Sequence, residues 1–304
     1  MKKTLLIIVL LLGGCSINFA QKKARIFAKD IISKGNVFAI TFTPDGKTIY
    51  FCESTPDRSI ITIQYSHLKN GKWTPPQPAS FSDKGRNIDP YISPDGNTMV
   101  FNSNRKRSND TTNYQFDIWI SQKKEEGWGE PVNIGLPVNT INSESFATIA
   151  RNGNLYYGTR LPNSTSQHDI YRARYRNGKY ETPERLAIVN TNEDEGNPFI
   201  EADEKFLIFS VSNKEGGFGD SDLYISFNNN GEWTVPQNMG DQVNSEDAEF
   251  APTVTPDGKY LYFSRIKRPA NFNSKNPPNG KYVDSENIYY ISLKELAVFK
   301  NREK

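Results

Sequence analysis

The chain has 304 residues, 12% of them aromatic, with 18 Pro and 21 Gly, a composition that suits many short strands and tight turns and fits one large all-β domain. Lys+Arg number 37 against 35 Asp+Glu, and Lys2 and Lys3 stand in a leader without acids, so the remainder is close to neutral. Nucleic acid is therefore not the expected partner, because phosphate binding needs a basic surplus or a clear basic stripe.

The first element is the leader, MKKTLLIIVLLLGGCSINFAQ: two lysines, an apolar run over residues 5–12, then small residues. Residues 1–20 read as an export signal whose apolar core is too short for a mature membrane anchor. Two processing sites compete. Leu12-Gly13-Gly14-Cys15 resembles a bacterial lipobox, which would put a lipid on Cys15; cleavage after Ala20 is the other. The expected address is the periplasm, or the outer membrane as a lipoprotein held only by that lipid. Either way Cys52 is the one thiol left, so no disulfide or cysteine metal site is expected, and it reads as a small buried strand residue.

Residues 21–304 read as a single domain built from a repeat. TFTPDGKTIYF at 41–51 returns as YISPDGNTMVF at 91–101 and TVTPDGKYLYF at 253–263, with degraded copies TIARNGNLYYG at 148–158 and FIEADEKFLIF at 199–209. Copies about fifty residues apart argue for structure. Pro-Asp-Gly supplies the dihedrals of a tight hairpin, which makes Asp45 a turn residue first. After each turn comes a run apolar on both faces (TIYFC, TMVFN, NLYYG, KFLIF, YLYFS), as in strands covered on both sides. A variable loop leads to a second strand signal: IITIQYS, FDIWISQ, HDIYRAR, SDLYISF and ENIYYIS. An aromatic residue with proline three positions later follows in four units, at Trp73 and Pro76, Trp128 and Pro131, Tyr180 and Pro183, and Trp233 and Pro236. Proline places this segment at a sheet edge.

Four strands per unit is the pattern of a β-propeller blade. The last unit lacks its fourth strand, and ARIFAKDIIS at 24–33 is expected to supply it, with Phe27 in the aromatic place. The predicted fold is all-β: a five-bladed β-propeller of four-stranded antiparallel blades, the last blade completed by the N-terminal strand. The copies at 91–101, 253–263 and 221–226 are similar to the WD40-like repeats of the TolB-type propeller family, whose units read Ser-Pro-Asp-Gly-Lys-x-Leu-Tyr-Phe-Ser and later Ser-Asp-Ile-Tyr. The resemblance covers nearly the whole chain after the leader. It implies an exported envelope protein and leaves the activity open, since propellers host unrelated functions.

The loops after second strands and before first strands share one face, the longer and more varied one, and this is the expected binding surface. Its regular feature is Val-Asn-(Thr/Ser) with Glu five residues after the Asn, giving Glu144, Glu195 and Glu249; aligned on the turn, Asn87 takes the Glu place in another unit, with Asp89 nearby, and Val37 takes it in the first. One reading gathers Glu144, Glu195, Glu249 and Asp89 at the channel mouth for acid/base work on a sugar, as a glycoside hydrolase or lyase. The other lets Asn and Glu satisfy backbone groups between blades. Repetition points to scaffold; chemistry would show as asymmetry. Arg105, Lys106, Arg107, Arg160, Arg265, Lys267 and Arg268 follow second strands and are expected near those acids, where they suit an anionic glycan or an acidic protein surface. GGFGDSDLY at 216–224 partly resembles a calcium-binding repeat but occurs once and out of register, so it reads as a glycine loop. Two histidines, His67 and His168, are too few for a histidine metal centre, and the sequence holds no HExxH, GxSxG or GxxxxGK. The expectation is a non-catalytic binding or scaffold protein with no metal or cofactor, recognising an envelope protein or glycan; the alternative is the glycan-active enzyme.

Overall fold

The computed structural model describes residues 22–82, 86–106, 115–160, 168–269 and 283–300. After β1 (Arg25–Ile26) the chain runs through an antiparallel meander that is met five times among these residues. The first consists of β2 (Val37–Phe42), β3 (Thr48–Ser54), β4 (Ile61–Lys69) and the short β5 (Lys72–Trp73) and β6 (Gln77–Pro78). The second has β7 (Asn87–Ile92), β8 (Thr98–Ser103), β9 (Asp117–Lys124), β10 (Gly127–Trp128) and β11 (Val132–Asn133). The third has β12 (Glu144–Ile149), β13 (Leu155–Thr159), β14 (Asp169–Ala173), a hairpin β15 (Tyr175–Arg176) and β16 (Lys179–Tyr180), and β17 (Glu184–Arg185). The fourth has β18 (Asp194–Ile200), β19 (Phe206–Ser212), β20 (Ser221–Asn229), β21 (Glu232–Trp233) and β22 (Gln237–Asn238). The last has β23 (Ala248–Val254), β24 (Tyr260–Lys267) and β25 (Ser285–Ser292), followed by a short 3-10 turn and helix α1 (Ala297–Lys300).

The first strands pack on one another in sequence: β2 on β7, β7 on β12, β12 on β18, β18 on β23, and β23 back on β2. β1 pairs antiparallel with β25, Arg25 opposite Tyr290 and Ile26 opposite Tyr289. The chain's start thus supplies the edge that its last meander lacks. The strand is shorter than residues 24–33, because Ala28 and Asp30 take positive φ (41° and 67°) and turn the chain at once. Phe27 still fills the aromatic place, buried edge-on against Trp73, Tyr262 and Tyr290 at centroid distances of 5.8, 5.1 and 6.2 Å.

The doubly apolar second strands are explained by packing between sheets. In β3, Ile49 and Phe51 join Phe27, Val37 and Tyr262 on one side, while Tyr50 and Cys52 join Met99, Phe101 and Trp119 on the other. Alternate residues of one strand therefore enter two different cores. The fourth segment differs from a continuous edge strand. It is split into two-residue pieces with Pro76, Pro131, Pro183 and Pro236 in the gaps, since proline has no N–H for the ladder. Its aromatic residue reaches the neighbouring sheet: Trp128 Nε1 donates to Tyr50 Oη at 3.0 Å.

Every first strand carries a bulge at the same place, with a non-glycine residue at positive φ: Ala39, Asp89, Phe146, Asn197 and Ala251, between 45° and 56°. Left-handed backbone costs such residues about 1–2 kcal/mol each, so surrounding bonds must hold it. Ala39 N–H donates to Ser264 Oγ at 2.9 Å and Asp89 N–H to Cys52 Sγ at 3.3 Å.

Candidate functional site: an arginine-lined axial cavity

The Pro-Asp-Gly turns do what their chemistry dictates. Asp45 Oδ1 accepts from Thr43 Oγ1 (2.6 Å) and Lys47 N–H (3.0 Å), and Gly46 sits at φ 66°. The same turn is built at Thr55-Pro56-Asp57-Arg58, on the opposite, loop-rich face. Asp57 Oδ1 accepts from Thr55 Oγ1 (2.6 Å) and Ser59 N–H (3.1 Å), and Arg58 occupies the glycine place at φ 54°. An arginine there is strained, and strain of this kind gathers at functional sites. Arg58 Nη1 donates to both carboxylate oxygens of Glu286, each at 2.9 Å, and its guanidinium lies 4.8 Å from the Phe38 ring centroid.

Glu286 is fully buried and Arg58 is 22% exposed by side chain. Both line a cavity of about 620 Å³, together with Asp57, Arg86, Asn197, Ser210, Ser212, Ser221, Phe250 and Arg268. These come from connections after second strands, the connection into β7 and the inner strands, so the cavity opens on the loop-rich face. Three guanidinium groups face two carboxylates in its lining. Loss of water holds the Arg86 and Arg268 guanidiniums below their ordinary range, and in both the positive charge of Arg58 adds to the effect. Arg86 Nε is buried without a hydrogen-bond partner, and the guanidinium stacks 4.8 Å from the Phe116 centroid.

Asp89 lies in the bulge of β7 and interacts with Arg58, Arg86 and Glu286. Burial raises its carboxyl to about 7, against the opposing pull of Arg58 and Arg86. Burial also raises Glu286, again opposed by Arg58.

The repeated acids are placed elsewhere. Glu144, Glu195 and Glu249 are fully buried, and none lines the cavity. Glu144 Oε1 accepts from Thr140 N–H (3.1 Å) and Oγ1 (2.7 Å); Glu195 Oε1 accepts from Thr191 N–H (3.0 Å) and Oγ1 (2.5 Å). Ser245 serves Glu249 with the same two groups, its N–H donating to Oε2 at 3.0 Å and its Oγ to Oε1 at 2.6 Å. The asparagines of the motif clasp the preceding meander's third strand. Asn139 bonds Ile118 N–H and C=O, Asn190 does so with Ile170, and Asn244 with Leu223. Asn87 stands where other units carry the glutamate, and Arg105 Nη2 donates to Asn87 Oδ1 and Phe81 C=O, both at 2.9 Å. Arg265 donates to Glu249 Oε1 (2.6 Å) and Val243 C=O (2.9 Å), its guanidinium 4.4 Å from the Tyr289 centroid.

Of the basic residues expected on this face, Arg268 lines the cavity and Arg160 stands exposed beyond β13. Arg107 and Cys15 lie outside the described residues. In the glycine loop, Asp222 Oδ2 accepts from Phe218 N–H (2.8 Å) and Asn238 Nδ2 (2.9 Å), and a Cβ on Gly219 would stand 2.0 Å from the Asp247 carbonyl oxygen. No group of three or more His, Cys, Asp or Glu suited to a metal ion occurs among the described residues. Sequence reasoning missed Arg58, Arg86 and Glu286. The available signal was TPDRS, a copy of the turn motif after a second strand with arginine in place of glycine.

A second cavity of about 400 Å³ opens on the Pro-Asp-Gly face, lined by Phe42, Pro44, Tyr91, Pro94, Phe199 and Pro256 among others.

Antiparallel meanders whose first strands surround a common axis define a β-propeller. The chain has the TolB-like form of that fold. It is similar to a TolB-type protein of Agrobacterium tumefaciens at 14% identity and TM-score 0.52, over 85% of this chain and 91% of that one. An α-L-arabinofuranosidase of Lactobacillus brevis is similar at 15% identity and TM-score 0.53, over 86% and 91%. Another from Podospora anserina, solved with cellotriose, is similar at 11% identity and TM-score 0.52, over 89% and 93%. At these identities the likeness is one of fold. No protein-family model matches the sequence, and no curated protein matches it. Among the described residues no helix is long and apolar enough to cross a membrane.

Proposed function

We propose that this chain is an exported five-bladed β-propeller of the bacterial cell envelope that binds a glycan or protein partner on its loop-rich face without transforming it. The leader over residues 1–20 directs export, and either a lipid on Cys15 anchors the protein or cleavage after Ala20 releases it. The β1–β25 pairing and the cyclic packing of the first strands support the five-bladed reading.

One observation carries the binding reading. Glu144, Glu195 and Glu249, which acid/base chemistry would need free, are each held by an N–H and a hydroxyl of their own loop and lie off the cavity, whose lining is rich in arginine. Hydrogen bonds of this kind fix carboxylates as scaffold. A second reading, glycan hydrolysis or lyase action, is supported by the carboxyls that burial raises: Asp89, to about 7, and Glu195 and Glu249 in the same direction, as a general acid requires. Fold does not choose between them, because TolB-type and arabinofuranosidase relatives share it.

The test pairs capture with turnover. Purified protein is screened on a glycan array and against envelope extract, and the retained glycans are then incubated with it and assayed for new chain ends. Retention without new ends, unchanged in Glu195→Gln, is the expected result. New ends that vanish in Asp89→Asn would establish the enzyme instead.

A further inference from the structure

Where the scaffold repeats, the cavity does not. The Asn and Glu clasps recur from meander to meander, whereas the cavity lining brings together Arg58, Arg86, Arg268 and Glu286 on one side of the ring, and of the bulge residues it takes only Asn197. A strained arginine, three guanidinium groups and two carboxylates meet in one concave space.

We infer that the axial cavity is a subsite for an acidic saccharide, its carboxylate taken by Arg86 and Arg268 and its hydroxyls by Ser210, Ser212, Ser221 and Asn197. The inference rests on the reading of the chain as a binding protein. Arg58 is committed to Glu286 by two bonds of 2.9 Å and acts as a fixed wall. Arg86 lines the cavity, where its guanidinium can pair with a carboxylate, while its Nε–H is enclosed by the protein. Its stacking on Phe116 holds the guanidinium plane in one orientation, which reduces the entropy lost on pairing. Burial holds Arg86 and Arg268 below their usual range and repulsion from Arg58 adds to it, and an anion between them would relieve that repulsion.

The rest of the lining explains why a sugar fits. Ser210 Oγ lies 3.0 Å from Asn197 Oδ1, so the amide NH₂ of Asn197 is the group left to donate. Ser221 Oγ donates to Glu249 C=O at 3.1 Å and keeps its lone pairs for a ligand hydroxyl. Phe250 adds an apolar wall. A volume of about 620 Å³ falls within the roughly 300–1,000 Å³ of small-ligand sites, room for a short saccharide and too little for a folded partner.

The experiment is isothermal titration calorimetry at pH 7 with glucuronate-, galacturonate- and mannuronate-containing disaccharides, each beside its carboxyl-reduced neutral form, and with hexaglutamate. At least one acidic disaccharide is expected to bind at least tenfold more tightly than its neutral form. Arg86→Gln and Arg268→Gln should each weaken it about tenfold or more, and Ser212→Ala a few-fold, with thermal midpoints confirming that each variant is folded. Equal binding of acidic and neutral forms, wild-type affinity in both arginine variants, or tighter binding of hexaglutamate would each overturn the inference. Absence of saccharide binding while the loop face still retains an envelope partner would sink this inference and leave the binding function standing. Cleavage of a bound disaccharide would support the subsite and refute the non-catalytic reading.

Discussion

Replacing Asp89 by Asn should stabilise the protein at alkaline pH and leave it nearly unchanged in acid. The carboxyl is enclosed by Arg58, Arg86, Glu286 and the Cys52 thiol, and receives the Phe146 N–H. It ionises near 3.8 in the unfolded chain and at about 7 in the folded one. Between those values the folded state binds more protons, so ∂ΔG/∂pH for unfolding is negative: the contribution is fully present below about pH 4 and is lost as pH rises through 7. A rise from 3.8 to about 7, at about 1.4 kcal/mol per unit, amounts to about 4 kcal/mol at pH 8. Structural relaxation and water entry reduce this, so about 2–4 kcal/mol is expected.

Asparagine is the right probe because it keeps the shape, the acceptor for Phe146 N–H and the left-handed backbone. Asn197 occupies the equivalent bulge at φ 50°, beside 56° at Asp89. Urea unfolding of wild type and Asp89→Asn at pH 4 and pH 8 measures the difference. The variant should gain about 2–4 kcal/mol at pH 8 and stay within about 1 kcal/mol of wild type at pH 4. The same difference at both pH values, or a loss at pH 8, would refute the account of Asp89 as a buried acid.

Arg58→Met should cost about 3–5 kcal/mol by leaving Glu286 charged and buried without its partner, and adding Glu286→Leu should recover most of that in the same unfolding assay. A double variant as unstable as the single one would mean that Arg58 acts by packing on Phe38. Cys52→Ser should be nearly neutral, since Ser264 already serves the Ala39 bulge from the matching position, whereas Cys52→Val should cost about 1–3 kcal/mol by leaving Asp89 N–H without an acceptor. Phe27→Ala should cost about 3–5 kcal/mol through loss of its three aromatic neighbours. An unchanged melting temperature in calorimetry would count against β1 as the closing strand.

The fold was legible because its signals are local and repeated. Pro-Asp-Gly fixes a hairpin, and a run such as TIYFC can be buried on both faces only between sheets. The proline-bearing segment was legible as an edge, but not its division, because where a ladder breaks depends on which N–H groups the neighbouring strand needs. The regularity that revealed the fold also drew attention to Glu144, Glu195 and Glu249, whose carboxylates hold their own loops. The cavity residues give no such pattern. Arg58 hides in a turn motif that lacks its glycine, Arg86 sits in a connection, and Glu286 comes from the far end of the chain.

That separation in sequence has a physical counterpart. A propeller ring has one seam at which no short connection holds neighbouring sheets in register, and here it lies between the last meander and the first. β1 pairs across it with β25, Gly35 N–H donates to Asn287 Oδ1 at 2.9 Å, and Glu286 N–H donates to Gly35 C=O at 2.9 Å. Arg58 and Glu286 then join the two meanders with both carboxylate oxygens engaged. A buried ion pair adds little net stability, and its geometry is its better-attested use. Two fixed bonds between residues 228 apart in sequence define the register of the seam and the wall of the cavity together. Closure and cavity are thus one structure, so the Arg58→Met/Glu286→Leu pair should regain stability without regaining the cavity's wall.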